Sequence, residues 1–125
     1  MTRKTYRMTA TAEAQLKKAV RDTKQTWGIK QARKYAADLF AGFQFIAENH
    51  ASLNAPHRDE LAEGTAFSIH LIGHRYIAFQ VHDQDTIIIV GLFHESMDIP
   101  ARLRELQGLA QHEIDSLMRE IDRTL

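Results

Sequence analysis

Apolar residues return along this chain at two different periods, and the switches between them mark out the elements. Ala12, Leu16, Ala19/Val20, Thr23 and Trp27 recur every three to four positions, which stacks them on one face of a helix behind Thr9, a residue suited to N-capping. Gly28 stands where a helix C-terminus favours a residue tolerant of positive φ. A second stripe starts at once with Ala32, Ala36, Leu39, Phe43 and Ile46, broadened by Tyr35, Phe40 and Phe45. So short a link predicts an antiparallel helix hairpin, with Trp27 and Phe43 in its core. The Asn, Ser and Pro of AENHASLNAP end it. Ahead of the hairpin, TYRMT alternates weakly and reads as a short first strand.

Past Gly64 the period falls to two. Phe67, Ile69 and Leu71 alternate with Ser68 and His70, and after Gly73 the residues Ile77, Phe79 and Val81 alternate with Tyr76, Ala78, Gln80 and His82. Asp83, Gln84 and Asp85 form a turn, and Thr86 to Phe93 is apolar on both faces, the mark of a central strand covered on both sides. Three strands joined by short turns predict an antiparallel meander, to which the first strand adds an edge. Helical spacing returns at Ile99. With Asp98 as cap and Pro100 in the first turn, Ile99, Leu103, Leu106, Ala110, Ile114, Leu117, Ile121 and Leu125 predict a long amphipathic helix, bent near Gly108. Its stripe is too large to stay wet, so the helix folds back on its own domain, pairs with a second copy, or substitutes for a partner's helix.

Length and composition narrow the class. A chain of 125 residues fits one domain with a real core. Its lack of cysteine excludes disulfides, thiolate metal sites and a cysteine nucleophile, and suits a reducing cytosol. MTRKTYRMTA carries no secretory signature, and no run approaches the roughly 18 apolar residues of a membrane span, so a cytoplasmic protein is expected. Formal net charge is zero, but its distribution is uneven. Residues 1–47 hold ten Lys/Arg against three acids, residues 48–98 only Arg58 and Arg75 against eight acids, and residues 99–125 four against five. A basic hairpin beside an acidic sheet points to a partner-facing surface and an acidic partner peptide.

The order of elements and several local tracts carry a resemblance. Tyr6-Arg7-Met8-Thr9 with Ala12 and Leu16, Trp27-Gly28, Gln31-Ala32, Tyr35 and Leu39 come first. Glu60-Leu61-Ala62-Glu63-Gly64, Gly73-His74-Arg75-Tyr76, and Leu92-Phe93-His94 with Met97-Asp98 follow. Over about residues 5–103 this pattern resembles the ParE branch of the ParE/RelE superfamily of toxin-antitoxin toxins. The resemblance implies an α+β fold in which a helix hairpin packs on a twisted antiparallel sheet of three to four strands. It makes residues 1–98 the toxin domain and 99–125 a C-terminal helical extension of the same domain. It also implies an antitoxin, ParD-like, whose C-terminal segment wraps the toxin. Lys17, Arg21, Lys24, Arg33, Lys34, Arg58, Arg75 and Tyr76 are the candidates for contacting it. ParE-like members are implied to poison DNA gyrase, RelE-like members to cut messenger RNA on the ribosome.

Choosing between those activities turns on chemistry. Metal-free RNA cleavage needs a general base, an acid and cations on the scissile phosphate. The candidates are His94 as base, Arg75 as phosphate clamp and Glu60 or Glu95 as partner. Against them stands a sheet half with only two arginines, and Ala66 and Gly91 fill positions where family members often carry arginine. The favoured reading is therefore a non-enzymatic, cofactor-free toxin that docks on proteins, in which Trp27, Gly28, His94 and Asp98 are structural and His94 donates to a carbonyl or to a carboxylate such as Asp98. His94 and Asp98 offer no third ligand for a metal, and His70 and His74, about 13 Å apart if extended, are too distant to share one. Tyr76, with His74 and His82 on one strand face, is a further partner-site candidate. A domain that keeps only antitoxin binding or self-association is the remaining alternative.

Overall fold

The computed structural model describes residues 4–51 and 60–123. Along the chain run β1 (Thr5–Met8), α1 (Ala10–Trp27), α2 (Ile29–Asn49), a 3-10 turn (Glu60–Ala62), β2 (Ser68–Ile72), β3 (Arg75–Val81), β4 (Thr86–His94) and α3 (Ile99–Arg123). The Thr9 hydroxyl accepts from Ala12 N–H at 3.1 Å and starts α1. Gly28, at φ +91°, ends α1 by donating to the Lys24 carbonyl and opens α2 by accepting from Ala32 N–H. One residue thus serves two helices.

The four strands lie in the order β1-β4-β3-β2. The meander β2-β3-β4 is antiparallel as expected, but β1 joins β4 in parallel, from Thr5 opposite Thr86 to Met8 opposite Ile89, so the sheet is mixed. Parallel neighbours need a long crossover, and here the hairpin and two strands supply it. Between β3 and β4 the register shifts: Ala78 faces Gly91 and Phe79 faces Ile89, leaving Val90 as the extra residue of a bulge. Leu92 N–H, next to this bulge, donates to Gln15 Oε1 of α1 at 2.8 Å.

The bulge also sorts β4 between two cores. Ile87, Ile89 and Leu92 join Ile77 and Phe79 against Ala12, Leu16, Leu39, Phe43 and Ile46 of the hairpin. Ile88, Val90 and Phe93 join Ala78 against Ile99, Leu103, Leu106, Ala110 and Ile114 of α3. The terminal helix therefore folds back on its own sheet. Polar ties hold it there, with Glu113 accepting from Thr11 N–H and Oγ1 and pairs formed by Arg7–Glu120 and His82–Asp122. It runs unbroken through Gly108, and Asp98 caps it by accepting from Ala101 N–H. Leu125 lies outside the described residues.

One expected core residue is not there. Trp27 is 73% exposed, because every residue from Lys24 to Gln31 at the hairpin tip is exposed and the shared face of α1 has nothing to bury against at that end. Phe43, farther along, is fully buried. Among the described residues no helix is long and apolar enough to cross a membrane.

Candidate functional site

Periodicity that leaves the hairpin tip uncovered also leaves a groove. Along α1, positions 17, 20, 21 and 24 share one flank, and α2 closes the other side, giving a cleft of about 700 Å3. Its lining is mainly apolar, from Leu16, Val20, Ile29, Ala32 and Phe40, and Ile29 and Phe40 remain 50% and 45% exposed. Lys17, Arg21, Lys24 and Arg33 stand at its edge with one acid, Glu13. None of these four cations is held in an ion pair among the described residues. An apolar trough edged by unpaired cations fits an amphipathic segment whose polar side is acidic.

Four of the expected antitoxin-contacting residues thus meet in one place, and the others do not. Lys34 is exposed but outside the groove lining, and Arg58 lies outside the described residues. Tyr76 sits on the opposite sheet face, packed beside the α3 cluster, and His82 is engaged by Asp122 of α3 at 2.8 Å. Both are taken up by the terminal helix.

Arg75 belongs to a second concavity. It faces His94 across β3 and β4, and the two residues line both a cleft of about 520 Å3 with Lys18, Asp22 and Arg102 and one of about 780 Å3 with Trp27, Tyr35 and His74. Arg75 Nε donates to the Tyr35 hydroxyl, and its guanidinium lies 6.0 Å from that ring's centroid. Lys18 pairs with Asp22 at 3.0 Å and Arg102 with Glu105 at 3.5 Å. The His74 ring stacks on His94 at 6.3 Å and meets Glu95 at 2.7 Å. Glu60, in the 3-10 turn packed by α3, lines neither cleft, so the expected His94, Arg75 and Glu60 set does not assemble.

The partner of His94 also differs from expectation. Ser96 N–H donates to His94 Nδ1 at 3.1 Å, and Ser96 Oγ lies 2.7 Å from the same nitrogen. Asp98 instead caps α3. A ring nitrogen that accepts a backbone N–H carries no proton, so we assign the tautomer with hydrogen on Nε2. The free ring position is then a donor, and the basic nitrogen is already occupied. His70, the histidine of β2, meets the Phe45 ring at a tilt with centroids 5.8 Å apart.

Packing explains the absence of an arginine at one of the two positions, Gly91. A Cβ on Gly91 would lie 2.9 Å from the Phe93 ring and 3.0 Å from Leu106, and Ala66 N–H donates to Gln107 Oε1 at 2.9 Å. Gly91 is closed by packing, whereas Ala66 is exposed and meets α3 only through its backbone. Sequence reading missed the roles of Ile29, Lys18, Arg102 and Tyr35. For Ile29 a signal existed, its place beside Gly28 at a tip; for Tyr35 and Arg75, forty positions apart in sequence, there was none.

Comparison with known proteins identifies a family. The family described as the ParE toxin of type II toxin-antitoxin system, parDE, matches residues 6–99, ending where α3 begins. A curated relative, Toxin ParE of Escherichia coli, is 30% identical over 100 residues, covering 80% of this chain and 93% of the relative. The chain belongs to the ParE toxin family of type II toxin-antitoxin systems.

Proposed function

We propose that the protein is a toxin that acts by docking on other proteins: it is neutralised by a ParD-like antitoxin seated in the hairpin groove and, when free, inhibits DNA gyrase. Membership in a toxin-antitoxin family implies an antitoxin partner. The groove is the observation that carries the antitoxin contact, since its apolar floor and the cations Lys17, Arg21, Lys24 and Arg33 match an acidic amphipathic segment. The gyrase target follows from the family resemblance, and a cytoplasmic location follows from that target. His94, with Nδ1 held by Ser96, supports a non-enzymatic reading.

A supercoiling assay with purified gyrase tests the proposal. Inhibition or trapped cleaved DNA is expected, and full supercoiling at saturating toxin would sink the gyrase assignment. A second reading, a ribosome-dependent messenger RNA endonuclease, draws on the convergence of Lys18, Arg75 and Arg102 around His94. Two of those cations are already paired with acids, and of the expected carboxylate partners Glu60 lines neither cleft and Glu95 is paired with His74. Cut transcripts on expression, abolished by His94→Ala, would decide for it.

A further inference from the structure

We infer that the double cleft around Arg75 is a second docking site, which takes an acidic segment of the protein the toxin acts on. This deepens the toxin reading and rests on it. The site is built for an oxyanion. Arg75 is fixed through Nε by Tyr35, which orients the plane of its fork and leaves the terminal amino groups to offer two parallel hydrogen bonds. His94 adds an Nε2 donor by the tautomer assigned above, and Lys18 and Arg102 stand in the same wall.

Trp27 supplies the apolar half of the site. It lines the same cleft as Tyr35 and Arg75, yet stays 73% exposed. Trp, Tyr and Arg are the residue types that concentrate binding energy at protein interfaces, and all three meet here. A nucleic acid backbone fits less well. It needs a track of free cations, whereas two of the three in this wall are shared with Asp22 and Glu105, and Asp38 lines the other cleft. One carboxylate needs only one fork.

The position of the site separates it from the groove. Lys17, Val20, Arg21 and Lys24 of α1 face the groove, and Gln15, Lys18, Ala19 and Asp22 face the cleft, on the opposite flank of the same helix. A segment lying in the groove therefore leaves the Arg75 wall uncovered.

Trp27 is the chain's one tryptophan, so its fluorescence reports the site directly. Titration with a short poly-glutamate peptide is expected to give a saturable change, weakened at least ~10-fold by Arg75→Gln and by Arg75→Lys, which keeps the charge but loses the fork. Lys17→Gln/Arg21→Gln should leave it unchanged. In cells, the exposed substitution Trp27→Ala should relieve growth arrest while antitoxin binding persists. The inference is overturned by no saturable response, by a wild-type response in either Arg75 variant, or by dependence on Lys17 and Arg21 instead. Tighter, steeply salt-dependent binding of a single-stranded oligonucleotide would overturn it in favour of nucleic acid. If the peptide binds through Arg75 but the wild-type protein leaves gyrase active, the gyrase assignment alone fails. If gyrase is inhibited equally by wild type and Arg75→Gln, this site alone fails.

Discussion

Both faces of the sheet are covered by helix, one by α3 and the other by the α1–α2 hairpin, and they end in opposite states. On one face α3 lays a single continuous stripe over Ile88, Val90 and Phe93, and polar pairs at Glu113, Glu120 and Asp122 fasten its length. On the other, α1 and α2 share the work over Ile77, Phe79 and Ile87, and overshoot it, leaving Trp27, Ile29 and Phe40 exposed. A face sealed by one helix serves stability. A face covered by a hairpin with a bare tip keeps apolar surface and cations for partners. The family match stops at residue 99, where α3 begins.

Substitutions that open either core should have the largest effects. Phe43→Ala, fully buried on the hairpin face, is expected to cost about 3–5 kcal/mol, and Leu103→Ala, fully buried under α3, about 2–5 kcal/mol, each read from denaturant unfolding. Comparable stability in both variants and the wild type would mean that the faces are not packed as described. Gly91→Arg puts a long cation against Leu106 and Phe93 and should dislodge α3, exposing surface that binds a hydrophobic dye.

Charge reversal in the groove should separate binding from stability. Arg21→Glu with Arg33→Glu is expected to weaken antitoxin binding by about 2 kcal/mol, roughly thirtyfold, with an unchanged Tm, because both side chains are exposed. An equal loss in Tm would make these residues part of the scaffold. Trp27→Ala should shift stability by no more than about 0.5 kcal/mol, since the ring is largely in water. For His94→Ala we predict retained growth arrest; its loss in a folded variant revives the nuclease.

The smallest effect is set by pH. Burial lifts the Tyr6 phenol above its ordinary 10.0. The unfolded chain then releases this proton first, so stability is unchanged below pH 10 and falls as pH rises beyond it. Tyr6→Phe should flatten that slope in alkaline unfolding curves.

What could be read in advance follows a physical line. Helix and strand stripes were legible because burial imposes a period, and Gly28 because a one-residue link needs positive φ. The parallel seat of β1 was not, since a weak edge strand carries no sign of its direction. The cations of the groove were visible as an excess on the hairpin, but only tertiary packing separates Lys17 and Arg21 from Lys34, which lies off the lining. Trp27 was misplaced because spacing records which face a residue shares and not where the sheet ends. The link between Tyr35 and Arg75 joins separate elements and leaves no local trace.

Amide hydrogen exchange of the full chain with and without its cognate antitoxin addresses the central claim most directly, because it maps both faces in one experiment. Added protection concentrated between Glu13 and Phe40, with α3 unchanged, is the predicted result. Protection along β4 with faster exchange in α3 would mean that the partner displaces the terminal helix, and that the hairpin groove is not where this toxin is held.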